Sequence, residues 1–297
     1  MSFDNLKRNR SSFSQLKERM QKDKQGASSY KDDRFWKLTV KDGTGSAVIR
    51  FMPAADGEEI PYVLRHEHAF QDPTTKKWFI ENCPTSIGRD DCPCCAANNE
   101  LWNTGIEAKQ NIARARKRQK KYYANILVVN DPAAPENNGK VFLFQFGPKI
   151  FDMINDRINP EFPDETPCDV FDFWDGANFN LRAHTVNRQR SYDKSTFAAP
   201  SELFDGDETK LKSTYDQLHK LQGLMAESEF KSAAELQAKF NATVGIKAAA
   251  PVDNSYSHES APVEEPDPVY AAPSKAPQQD TSVSDDDLDE YQKLLEG

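Results

Sequence analysis

Six side chains able to bind a soft metal crowd into one short stretch of this chain: His66, His68, Cys83, Cys92, Cys94 and Cys95. Few other core-forming residues lie between Glu81 and Ala96. Whatever that segment folds into must therefore bring donors together, because metal-ligand bonds would have to replace a hydrophobic core. Cys92 and Cys95 form a Cys-x-x-Cys knuckle, and Pro93 inside it suits the tight turn that aims two thiolates at one ion. The expected set is His68, Cys83, Cys92 and Cys95 around one Zn2+. Such a set is closed, and a closed set serves structure rather than catalysis. His66 competes with His68 for the nitrogen position, and Cys94 with either neighbour. The alternative is cysteines buried without a metal. Five cysteines, an odd number, argue against a disulfide framework.

Catalytic signatures are missing from the same region. A zinc deaminase needs His-x-Glu and Pro-Cys-x-x-Cys, whereas this chain has His66-Glu67-His68 and Asp91-Cys92-Pro93-Cys94-Cys95. No His-Glu-x-x-His, phosphate-binding loop or dinucleotide fingerprint occurs in the sequence. A binding protein rather than an enzyme is expected.

A second feature follows at once. Residues 109–121 carry Lys109, Arg114, Arg116, Lys117, Arg118, Lys120 and Lys121 with no acid between them, and run straight into Tyr122 and Tyr123. Cationic side chains neutralise phosphates, and aromatic rings on an adjoining sheet stack unpaired bases. The competing reading is a solvated helix face. Trp102, Tyr122, Tyr123, Phe144 and Tyr192 are the candidate stacking rings, Tyr192 lying close to Arg188 and Arg190. Each of them could equally be core. Phe142, Phe144 and Phe146 share one strand face and stand or fall together.

Apolar periodicity predicts a hairpin from Trp36, Leu38 and Val40 through Gly43 and Gly45 to residues 47–51, then strands at 62–64, 78–80, 122–129, 141–146, 170–173 and 179–186. Helices are predicted near 150–158, 209–224 and 229–240. Residues 1–25 read as a short amphipathic helix with Phe13, Leu16 and Met20 on one face. Short strands followed by helices give an α+β class with a small barrel or curled antiparallel sheet.

Charge divides the chain unevenly. Net charge is -9 over 297 residues, but residues 251–297 hold 12 acids against Lys275 and Lys293, leaving a body close to neutral. That tail, rich in Pro, Ala and Ser, cannot bury enough apolar surface to fold and is expected to be disordered. Its last stretch sets Asp285, Asp286, Asp287, Asp289 and Glu290 around Leu288, with Leu294 and Leu295 beyond, as a docking peptide would. No apolar run approaches the roughly 20 residues of a membrane span. The charged start MSFDNLKRNR is not a secretory signal, so a cytosolic, membrane-free protein is expected.

The run YANILVVNDPAAPENNGKVFLFQFGPKI at 123–150, with His68-Ala69-Phe70, Lys77-Trp78-Phe79-Ile80-Glu81 and the cysteine knuckle, resembles the single-stranded DNA-binding, helix-destabilising proteins of T-even-type bacteriophages. The likeness extends over nearly the whole chain. It implies an oligonucleotide-binding (OB) barrel core over 26–250, with a zinc subdomain inserted at about 65–110 and DNA lying in a basic, aromatic-lined cleft between them. The family's ligands fall on His68, Cys83, Cys92 and Cys95, and its cleft aromatics on Trp102, Tyr122, Phe144 and Tyr192. Arg114, Arg116, Lys117, Arg118, Lys120, Lys121 and Arg190 are the accompanying cations. Lys7, Arg8, Arg10, Ser11 and Ser12 match the N-terminal motif through which neighbouring monomers bind cooperatively. Lys117 to Lys121 keep the charge of a related internal motif but lack its Ser or Thr.

Function is thereby expected to be sequence-independent, cooperative coating of single-stranded DNA in viral replication, recombination and repair, in the cytoplasm of the infected host. The expected partners are single-stranded DNA, further copies of the chain, and, through the tail, viral proteins such as DNA polymerase, the helicase loader and the recombination mediator. The rival reading is a zinc-finger regulator of duplex DNA, which would present a recognition helix after its ligands.

Overall fold

The computed structural model describes residues 32–186 and 189–246. The predicted N-terminal helix and the acidic tail lie outside them. Among the described residues, nine strands make one sheet: β1 Phe35–Trp36, β2 Thr44–Phe51, β3 Tyr62–Gln71, β4 Trp78–Asn82, β5 Arg118–Asn130, β6 Val141–Phe146, β7 Ala177–Val186, β8 Gln189–Ser191 and β9 Thr196–Pro200. Five α-helices accompany it: α1 Pro93–Asn103, α2 Glu107–Ala115, α3 Pro148–Ile158, α4 Glu208–Tyr215 and α5 Ala233–Val244. The class is α+β, and no described helix is long and apolar enough to cross a membrane.

Strand β5 is the spine. Its first half pairs with β3 and its second half with β2, both antiparallel, while β6 runs along the other edge. Alternation explains how a run of eight buried residues, 121–128, arises. Tyr122, Ala124, Ile126 and Val128 enter the main core with Phe51, Phe146, Phe171 and Phe179. On the opposite face Tyr123 meets Leu221 and Leu224, and Leu127 meets Leu203 and Leu211. Asn125 pins that outer layer, its amide donating to the His219 carbonyl and its Oδ1 accepting from the His219 amide.

Several predicted elements require correction. Strand β6 matches 141–146, and α3 matches the helix expected near 150–158. The hairpin over 36–51 does not form, because β1 pairs in parallel with β6 and leaves a single bridge between Lys41 and Thr44 across the turn at Asp42 and Gly43. No strand exists at 170–173. Asp169 and Asp172 instead accept the amides of Phe171, Trp174 and Asp175 in side-chain-capped turns that tuck Val170, Phe171 and Phe173 inward.

Those turns are held by Arg50, which is fully buried and donates to the carbonyls of Asp172 and Ser201 at 2.9 and 3.0 Å. Gly176 is required there, since a β-carbon would stand 2.2 Å from the Asp172 oxygen and 2.8 Å from the Arg50 guanidinium. The helix expected at 209–224 stops at Tyr215, because the following residues are drawn flat against Asn125. The last helix begins later than expected, where Ser232 and Glu235 form a capping box, and ends at Gly245 in the left-handed conformation.

Phe51 sits at the centre of this arrangement, its ring 5.6–5.8 Å from those of Phe146, Phe171 and Phe179. Replacing it with alanine is expected to cost about 3–5 kcal/mol. Urea unfolding should show that loss as a lowered midpoint. A loss under about 1 kcal/mol would mean that the core is not organised around this ring.

Candidate metal centre and nucleic-acid interface

Three separate stretches deliver the donors. His68 comes from the end of β3, Cys83 caps a 3-10 turn at Pro84–Ile87, and Cys92 caps α1, whose first helical residue is Pro93. Proline at that position costs nothing, since its missing N–H would have been unpaired. One turn on, Cys95 swings back beside Cys92. The ligand atoms of His68, Cys83, Cys92 and Cys95 all lie within 4.8 Å of one another, so the set could hold a metal ion.

Its dimensions suit zinc. Four ligands at about 2.0–2.3 Å in a tetrahedron stand roughly 3.5–3.8 Å apart. Here the Cys83 and Cys95 sulfurs are 3.6 Å apart, and His68 Nε2 is 3.3 Å from Cys95 Sγ and 3.5 Å from Cys92 Sγ. Burial disfavours a charged His68, but the sulfurs of Cys83, Cys92 and Cys94 outweigh it and raise its pKa to about 12. Hydrogen bonds from Cys92 and Cys95 hold the Cys83 thiol far below its ordinary value, while Cys83 and Cys92 push Cys95 far above its own.

The two open alternatives separate. Cys94 is buried but turned away from the quartet, its Sγ 3.3 Å from the other ring nitrogen of His68. His66 stands outside the group, its Nδ1 buried without a hydrogen-bond partner. Around the cysteines pack Phe70, Phe79, Leu236 and Phe240, so β3, β4 and α5 supply a small apolar cluster that the cysteine segment itself lacks.

The expected DNA-facing residues divide by strand parity and helix position. Trp102, in the last turn of α1, is 45% exposed, and the Arg114 guanidinium lies 5.2 Å over its ring. Arg118 and Lys120 face solvent from one side of β5, with Arg118 Nη1 donating to Thr85 Oγ1 at 2.9 Å. Lys117 is half-buried, and burial lowers its pKa. Arg190 and Tyr192 are half-buried, Tyr192 lying against the main core.

Four residues are not surface groups. Lys121 points to the opposite side of β5 from Lys120 and is buried. The Tyr122 ring stacks on Phe151 at 4.0 Å and 7°, and Phe144 packs between Trp36 and Phe146, so core packing claims both rings. Arg116 turns inward to Asp72, which it meets at 3.0 Å. Lys7, Arg8, Arg10, Ser11, Ser12 and residues 285–290 lie outside the described residues.

Helices α1 and α2, Asp72, Asn98 and the exposed Ile106 and Ile112 of the same helical pair were not foreseen. A mixed Cys-Ala-Asn composition in α1 hides any apolar stripe, although Ile106 just before the basic run and Ile112 within it were a visible signal.

Fold and site together define an α+β protein with a Cys3His cluster, exposed cations at the start of β5 and an exposed tryptophan on α1. Residues 43–244 match the family described as gp32 DNA binding protein like, and the chain belongs to that family. It is 40% identical over 229 residues to the single-stranded DNA-binding protein of Enterobacteria phage T2, covering 75% of this chain and 74% of the relative. The protein of the same description from Enterobacteria phage T4 is 40% identical over 223 residues, 73% of this chain and 72% of that one.

Purified protein is expected to hold one zinc per chain. Cys92→Ser should lose it and unfold at lower temperature, whereas His66→Ala and Cys94→Ser should keep it. Zinc retained by Cys92→Ser, or lost from His66→Ala, would contradict this ligand set.

Proposed function

We propose that the chain binds single-stranded DNA without regard to sequence and coats it cooperatively during phage replication, recombination and repair. The observations that carry this reading are the exposed Trp102 with Arg114 over its ring and the exposed Arg118 and Lys120 at the start of β5, where Arg118 stands opposite His68, in a chain 40% identical to two phage proteins of that description. An exposed indole offers a π-face that any base can use, and cations along one strand edge follow a backbone. A duplex reader would need a recognition helix for the major groove. The helix after these ligands, α1, instead carries Ala, Asn and one exposed tryptophan.

On this reading the β2–β7 region is an OB-type barrel, residues about 65–110 form the zinc subdomain, and DNA lies along the edge where the two meet. Zinc is structural, and the protein acts by binding rather than by catalysis. Residues 1–25 supply the cooperative contact through Lys7, Arg8, Arg10, Ser11 and Ser12. Residues 251–297 dock replication and recombination proteins through the acidic stretch 285–290, and compete with DNA for the cationic edge. The site of action is the host cytoplasm.

Titrating full-length protein with dT homopolymer and with duplex at several salt concentrations tests the reading. Trp102→Ala should weaken binding by about 1–3 kcal/mol with the salt slope retained. Removing Arg118 and Lys120 together should flatten the slope by roughly 0.7 per cation lost. Equal affinity for duplex, or an unchanged slope in the charge variant, would contradict it.

A further inference from the structure

Arg116 occupies the junction between α2 and β5, and its N–H, its carbonyl and its guanidinium each make contacts there. Its backbone N–H closes α2 by donating to the Ile112 carbonyl at 3.2 Å. Its carbonyl accepts from the amide of Asn98, in α1, at 2.9 Å, and faces His68 Nδ1 at the same distance. With Nε2 directed at the sulfurs of Cys92 and Cys95, Nδ1, between the Arg116 carbonyl at 2.9 Å and Cys94 Sγ at 3.3 Å, is the nitrogen left to carry the proton and donate to that carbonyl. Its guanidinium pairs with Asp72 at 3.0 Å, with side chains only 14% and 6% exposed, and lies 5.3 and 5.8 Å from the rings of Phe70 and Phe240. Phe240 belongs to α5, the last described helix, and Asp72 directly follows β3, the strand that carries His68. Two residues further on, Arg118 stands opposite His68 in the β3–β5 ladder.

A phosphate-binding arginine presents a free fork to solvent. This one is spent on a carboxylate and two rings.

We propose that Arg116 is a positioning residue, which ties the metal centre to the DNA-facing edge of β5 and to α5 and makes no contact with phosphate itself. The inference rests on the metal and DNA readings above. Metal ligation fixes the His68 ring, the ring fixes the Arg116 carbonyl, and that carbonyl sets where the strand bearing Arg118 and Lys120 begins. Partners of ligand histidines commonly govern metal retention by 10–100-fold. A planar guanidinium wedged between rings is not replaced by an ammonium, so lysine should restore the ion pair but not the stacking.

The test compares full-length wild type, Arg116→Met, Arg116→Lys and Asp72→Asn by two readouts: zinc transfer to a chromophoric chelator, and the salt slope of dT homopolymer binding. Arg116→Met is expected to release zinc about tenfold faster with an unchanged salt slope, Arg116→Lys to fall between it and wild type, and Asp72→Asn to match Arg116→Met although it adds no contact to DNA. Wild-type zinc release together with a slope reduced by roughly 0.7 in Arg116→Met would make Arg116 a phosphate contact and overturn the proposal. If Arg116→Met fails to fold, Asp72→Asn and Arg116→Lys decide it, and wild-type zinc release in both would also overturn it. A wild-type protein without zinc would sink the metal reading itself, an outcome visible before any variant is made.

Discussion

Convergence of one imidazole and three thiols from β3, a 3-10 cap and the start of α1 is the constraint on which the outer lobe depends. Between Cys83 and Cys95 the chain offers only its cysteines and Pro93 to the interior besides the turn proline Pro84. So small a segment cannot offset its own conformational entropy by hydrophobic burial. Ligation to one ion would supply folding free energy outright, and the apolar support comes from outside, through Phe70 and Phe79 on one side and Leu236 and Phe240 of α5 on the other.

The main sheet is stabilised differently. Both faces of β5 are covered, and the aromatic cluster around Phe51 makes a dense core with no need of a metal. The two regions share β3 and β5. The half of β5 that pairs with β2 is embedded in the main core, while the half that begins beside His68 carries the exposed cations. One strand thus joins the main core to the residues proposed to face DNA, and its charged end starts opposite His68 of the donor set.

Much of this was legible in the residues. The cysteine spacing pointed to the donor cluster because ligand chemistry is local, while leaving His66 against His68 and Cys94 against its neighbours open, and β6 and α3 showed their periods undisturbed. Residues 170–173 misled because an apolar run buried by capped turns looks the same as a short strand, and the partner that holds those turns, Arg50, is 122 residues away from Asp172. Tyr122 and Phe144 looked like stacking platforms because composition does not reveal which face of a strand another element covers. Phe151 of α3 covers Tyr122. Likewise, seven cations in one run looked equivalent until alternation and the Asp72 contact removed Lys121 and Arg116 from the surface.

The central claim is that a metal centre organises the lobe and the charged end of β5 while the main core around Phe51 stands without it. Amide hydrogen exchange on the full-length zinc protein, before and after chelation, tests this most directly. The account predicts loss of protection at residues 66–71 and 117–121, with amides of β7 and of residues 124–128 unchanged. Protection that stays the same throughout, or collapses equally in β7 and residues 124–128, would contradict it.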